Sequence, residues 1–191
     1  MSTVRAATSA DPARWLRHSD VDWWDLVRYG PPGFEAYMRI AFDDDSDRDD
    51  EDPTLRTALT TLADHTTTPQ RGYAAIWEGW TSEGRIPEAP LVAIPHRRML
   101  LVTGPVSALR DAPALAWYGA AQGGDAGPHL AWPEDQAWCL ACEVDEEIEF
   151  TVGCSTEASR ALARALPGAV RQVRYGEDVP LYRDEGWPTP R

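Results

Sequence analysis

Phe34-Glu35-Ala36-Tyr37-Met38-Arg39-Ile40-Ala41-Phe42 is the stretch on which the fold turns. Phe34, Ala36, Met38, Ile40 and Phe42 alternate with Glu35, Tyr37, Arg39 and Ala41, and strict period two predicts a half-buried strand. Downstream, Leu55, Ala58, Leu59, Leu62 and Ala63 follow the i, i+3, i+4, i+7, i+8 spacing of one apolar helix face, opened by Pro53 and ending near His65. Tyr73 to Trp80 is apolar on both faces and predicts a covered strand. Leu91–Ile94 and Met99–Thr103 flank Pro95-His96-Arg97-Arg98 and read as a hairpin. Trp138, Leu140, Cys142 and Val144 alternate again, and Ile148, Phe150 and Val152 continue after an Asp145-Glu146-Glu147 turn. Ser155 is placed to cap a last helix whose face is Ala158, Ala161, Leu162, Ala165 and Leu166, stopped by Pro167-Gly168. Val170 to Tyr175 adds an edge strand.

Upstream, Asp11-Pro12 opens a helical turn, and Trp23, Trp24 and Val27 line a short helix that Gly30-Pro31-Pro32 ends. Consecutive hairpins imply an α+β fold: a single antiparallel sheet of about five or six strands with two main helices packed on one face. Residues 1–10 read as a flexible N-terminus, 11–175 as one domain and 176–191 as an irregular tail.

The 191 residues carry 18 basic and 31 acidic side chains, for a net charge of −13. Every basic residue is Arg, and neither Lys nor Asn occurs. A lysine Schiff base, a P-loop lysine and N-glycosylation are thereby excluded, and the charge argues against nucleic acid. No apolar run has the length of a membrane span, and the N-terminus lacks the apolar core of a secretory signal, which points to the cytoplasm. Leu, Ile, Val and Phe number only 34, but nine Trp, six Tyr and three Met raise the large apolar set to 52, enough for an aromatic-heavy core. Asp43 to Asp52 concentrates eight acids against Arg48, more than half of the net charge. Such a segment reads as a solvated, self-repelling loop, and it lacks the Gly and Glu spacing of an EF-hand.

Cys139, Cys142 and Cys154 are an odd count, against a disulfide framework. Cys139 and Cys142 lie three apart on a strand and face opposite ways, so no zinc half-site follows. The four His show no metal spacing, so neither metal nor cofactor is expected. The residues that suit a binding site are Glu35, Tyr37, Arg39, Trp77, Glu78, Trp80, Arg98, Trp132, Asp135, Trp138 and Glu143, in which carboxylates and guanidinium groups interleave with aromatics.

Gly33-Phe34-Glu35-Ala36-Tyr37-Met38-Arg39-Ile40, His65-Thr66-Thr67-Thr68-Pro69, Ile76-Trp77-Glu78-Gly79, Trp132-Pro133-Glu134-Asp135-Gln136-Ala137-Trp138-Cys139, Glu143-Val144-Asp145 and Val152-Gly153-Cys154-Ser155 together resemble, in order, landmarks of a family of uncharacterised actinobacterial proteins. The resemblance covers residues 31 to 166, with His96 and Cys154 standing where that family has Gly. It implies a cytoplasmic actinobacterial protein and assigns no reaction. Two functions are therefore expected from the residues themselves. One is a non-catalytic acidic interaction module, regulatory or toxin-neutralising, with a basic protein partner. The other is a small-molecule binder or enzyme with a Trp-lined pocket carrying Glu, Arg and His.

Overall fold

The structure, a computed structural model, describes residues 4–17, 20–43, 53–80, 89–109, 127–146 and 148–182. In chain order these form β1 (Arg5–Ala6), α1 (Arg14–Arg17), α2 (Trp23–Tyr29), β2 (Ala36–Ala41), α3 (Pro53–Ala63), β3 (Gly72–Trp77), β4 (Leu91–Ile94), β5 (Arg97–Gly104), β6 (Leu130–Pro133), β7 (Cys139–Ala141), β8 (Glu149–Cys154), α4 (Thr156–Ala165) and β9 (Val170–Val173). All strand pairs are antiparallel, in the order β1-β5-β3-β6-β7-β8-β2-β9, and β4 shares with β1 the outer side of β5.

The α+β class stands, but the expected five or six strands with two helices on one face do not. Among the described residues the sheet has nine strands, and four helices cover it. The additional strands are too short for a period to show: β1 has two residues and β6 four. Helices lie on both faces. On one, Leu55, Leu59 and Leu62 of α3 and Ala158 and Leu162 of α4 meet Met38, Ile40, Ile76, Leu140, Phe150 and Val152. On the other, Leu16 of α1 and Leu26 and Val27 of α2 meet Tyr73, Ala75, Leu101, Leu130, Trp132 and Ala141. Helices of four and seven residues have too few turns to display an amphipathic stripe, yet they suffice to bury this face.

β2 is consequently buried on both sides, not half-buried: Tyr37 is 6% and Arg39 0% exposed. Tyr29 of α2 and Tyr175 pack on Tyr37. β3 stops at Trp77, and Glu78–Trp80 coil into a 3-10 turn. The β4–β5 turn is only Pro95-His96, with His96 at φ 61° as the third position of a type II turn requires, so Arg97 and Arg98 belong to β5. Gly30 ends α2 at φ 72°, and a Cβ there would stand 3.0 Å from the Cys139 thiol. The acidic run, apart from Asp43, and the Ala/Gly/Pro-rich stretch 110–126 lie outside the described residues.

Candidate functional site

The face under α2 holds charge as well as apolar side chains. The Asp22 carboxylate accepts the Trp24 N–H at 2.8 Å and so caps α2, which turns Arg28 inward. Arg28 donates from Nε and Nη2 to Glu146 at 3.2 and 3.3 Å. Arg39 of β2 donates to the same Glu146, to Glu149 at 2.9 Å and to Thr151 Oγ1 at 3.1 Å. Arg171 of β9 closes the far end on Glu149 at 3.0 and 2.8 Å. The result is a chain, Arg28–Glu146–Arg39–Glu149–Arg171, whose first three side chains, Arg28, Glu146 and Arg39, are at most 2% exposed. Burial raises the Glu149 carboxyl, but the hydrogen bonds from Arg171 and Arg39 outweigh it and hold the group below the usual carboxylate range.

A second cluster lies at the start of β5. The Arg97 guanidinium stands 5.5 Å from the Trp23 ring and 5.3 Å from the Trp77 ring, a double cation–π contact. Arg97 Nη2 donates to Glu143 at 2.6 Å, and Glu143 in turn accepts the Asp145 N–H at 2.8 Å. His129, which leads into β6, lies beside this pair, and its Nδ1 accepts the Trp77 N–H at 3.0 Å. The neutral ring therefore carries its proton on Nε2. Burial pulls the imidazole down to about 4, with Glu143 opposing and Arg97 assisting. Val27, Met99, Leu130, Cys142 and Val144 complete the walls of a cleft of about 10 Å³, the room of one water. Burial pushes the Cys139 and Cys142 thiols far up, and Cys154 up to about 12, so all three are held protonated.

The eleven sequence candidates do not converge. Trp132 packs under α1 and α2, whereas Trp138 packs under α3 and donates Nε1–H to the Leu62 carbonyl at 3.0 Å. Both are 0% exposed and lie on opposite faces, so they do not line a common groove. Trp77 and Glu143 do meet, through Arg97. Glu78 and Arg98 pair with each other close by. The side chain of Trp80 is outside the described set. Arg39 belongs to the buried ion chain. Tyr37 donates its hydroxyl to the Pro31 carbonyl at 2.8 Å. Glu35 accepts the Thr156 N–H at the start of α4 at 2.8 Å. Asp135 accepts from the Thr66 hydroxyl at 2.7 Å and from Thr67 N–H and Oγ1 at 2.6 and 2.7 Å, and so ties the end of α3 to the β6–β7 turn.

Sequence reasoning missed Arg28, Arg97, His129 and Glu146. Their partners are remote in the chain, Arg28 and Glu146 being 118 residues apart. The available signal was Arg28 within an aromatic helix, a charge with no reason to sit there unless matched. Among the described residues no helix is long and apolar enough to cross a membrane, and no group of three or more His, Cys, Asp or Glu is placed to hold a metal ion. Comparison of the chain with family models, with curated proteins and with solved structures found no match in any of the three.

Proposed function

We propose that this chain is an acidic, cytoplasmic, non-catalytic interaction module that binds a basic protein in a regulatory or toxin-neutralising role. The observation that carries this reading is the net charge of −13 combined with how the arginines are used. Arg28, Arg39, Arg97 and Arg171 are matched internally by Glu143, Glu146 and Glu149. Arg14, Arg71, Arg98 and Arg174 on the surface also have carboxylate partners. Pairing thus consumes positive charge at least as fast as negative, and the acidic excess is left for the surroundings. Complementary charge speeds encounter and selects partners, and the attraction weakens as salt shortens the Debye length. A pocket lined by several tryptophans has less support, because Trp132 and Trp138 are fixed in separate cores.

The test is affinity capture from a lysate of the source organism at low and high salt. A parallel capture uses a variant in which residues 43–51 are replaced by a Gly/Ser link. The expected result is retention of a basic protein at low salt, its release at high salt, and weaker retention by the variant. Absence of any retained protein at low salt overturns the reading.

A further inference from the structure

We propose that the outer edge of β4 receives an extended strand of the basic partner by addition to the sheet, an inference that rests on the interaction reading above. The register fixes which backbone groups are available. Leu91 stands opposite Leu100, and the Leu101 N–H donates to the Pro90 carbonyl at 3.1 Å. Pro90, Val92 and Ile94 therefore turn their hydrogen-bonding groups towards β5, and Leu91 and Ala93 turn theirs outward. The other strand on that side of β5 agrees: the Ala7 N–H reaches the Leu101 carbonyl at 3.0 Å. Among the described residues, no strand pairs with the outer side of β4.

β4 is short and bracketed by Pro90 and Pro95, but among the described residues it differs from the other edges in length or in charge. β1 is only two residues long, and β9 exposes Arg171 and Gln172. β4 reads Leu-Val-Ala-Ile without a charge, and Leu91 is 40% exposed, one of two large apolar side chains so exposed among the described residues. An uncharged edge that no described strand pairs is a template for another strand. Val92 and Ile94 are buried, so the strand is held in extended form before any partner arrives.

The occupant follows from charge and length. Pro90 and Pro95 bracket the edge, so Leu91 and Ala93 offer two N–H and two C=O groups and no more. So short a ladder cannot hold a neutral strand firmly, and the −13 charge of the chain supplies the remaining attraction only to a positively charged one. A second copy brings another −13 and is repelled. The partner strand fits best with an apolar side chain or an arginine stem laid over Leu91.

The experiment measures binding of an end-blocked peptide of about nine residues alternating Val and Arg to the full chain at low salt. Comparators are the Val/Thr peptide, the Val/Arg peptide N-methylated at alternate residues, and an Ala93→Pro variant, which removes an N–H that points away from β5 and that no described strand pairs. The expected result is salt-sensitive binding to the wild type, weakened about tenfold or more by Ala93→Pro and equally by N-methylation. N-methylation reads the edge on the wild-type protein, so the test survives if the variant fails to fold. Binding indifferent to both changes overturns the edge while leaving the basic-partner reading standing. Equal binding of the Val/Thr and Val/Arg peptides, both sensitive to N-methylation, supports strand addition and overturns the charge reading. No binding of any peptide overturns the inference, as does a dimer in sedimentation that Ala93→Pro dissolves, which gives the edge to a second copy.

Discussion

The two faces of the sheet solve burial in opposite ways. Under α3 and α4 the layer is apolar, with Leu55, Leu59, Leu62, Leu162 and Phe150 at its centre. Under α1 and α2 the layer holds Arg28, Arg39, Glu143, Glu146 and His129 among Trp132, Met99 and Leu101. The first face draws its stability from area removed from water and is indifferent to which apolar neighbour supplies it. The second holds only if every charge finds its partner, because an unmatched buried ion is expensive and a matched one is close to neutral. The contrast teaches that short helices can close a sheet face when an ion chain fixes their position.

The strongest way to break this contrast is to remove the carboxylate shared by two guanidinium groups. Glu146→Ala leaves Arg28 and Arg39 buried without their common partner, and the expected loss is about 3–5 kcal/mol in urea unfolding. Replacing all three together, Arg28→Met, Arg39→Met and Glu146→Leu, should restore most of it, since apolar groups of similar volume need no partner. A small loss in the single variant would mean that water reaches the chain and that the two faces are less different than described.

On the apolar face the corresponding change is Leu59→Ala. Leu59 is 0% exposed, and truncation costs its transfer free energy plus the cavity left behind, roughly 2–5 kcal/mol with a centre near 3. No charge is left unmatched there, so Arg28→Met with Arg39→Met should not restore the Leu59→Ala loss, whereas the same pair should restore much of the Glu146→Ala loss. Equal restoration of the two variants would remove the distinction between the faces.

The difference in chemistry explains what the sequence made legible. β2, α3 and α4 were readable because period two or 3.6 runs through six to eleven residues of each. Ser155 marked the start of α4 by type and position, and its Oγ accepts the Ala158 N–H. Arg39 was correctly placed on the Glu35/Tyr37 side of its strand, but its burial depends on Glu146 and Glu149, more than a hundred residues away. Pairing at that separation leaves no local pattern. For the same reason the density of tryptophans suggested a common groove, whereas Trp132 on β6 and Trp138 just before β7 project to opposite faces of one sheet.

Acid sharpens the contrast further, through His129. Its folded pKa of about 4 lies below the ordinary 6.5, so the unfolded chain binds the proton first. The neutral ring therefore contributes stability that is complete above about pH 6.5 and is lost as pH falls towards 4. The span corresponds to roughly 3 kcal/mol. Unfolding titrations between pH 7 and 4 should show this decline in the wild type and a shallower one in His129→Gln. Glu143 and Arg97 face the ring with opposing effects; Glu143→Gln removes the one that favours the charged imidazole, so the decline should begin at the same pH as in the wild type and continue to a lower pH. Identical slopes in wild type and His129→Gln would show that the imidazole is hydrated in the fold.

The smallest expected effect is at the start of α4, on the apolar face, where polar groups act only at the rim. Ser155 Oγ accepts the Ala158 N–H at 3.2 Å, and Glu35, just before β2, accepts the neighbouring Thr156 N–H at 2.8 Å. Two of the helix's first donors are thus satisfied from two different elements. The Thr156 hydrogen bonds hold the Glu35 carboxyl below its ordinary range, which places its contribution at neutral pH and removes it in acid. Ser155→Ala should cost about 1 kcal/mol, because the freed N–H sits at a helix end that water can partly reach. Glu35→Gln should cost less, since the side chain is exposed and the amide oxygen still accepts the bond. If Ser155→Ala costs as much as Leu59→Ala, α4 is held by its cap and not by its apolar face, and the division between a dry face and a matched-charge face fails at the element where it was most clearly drawn.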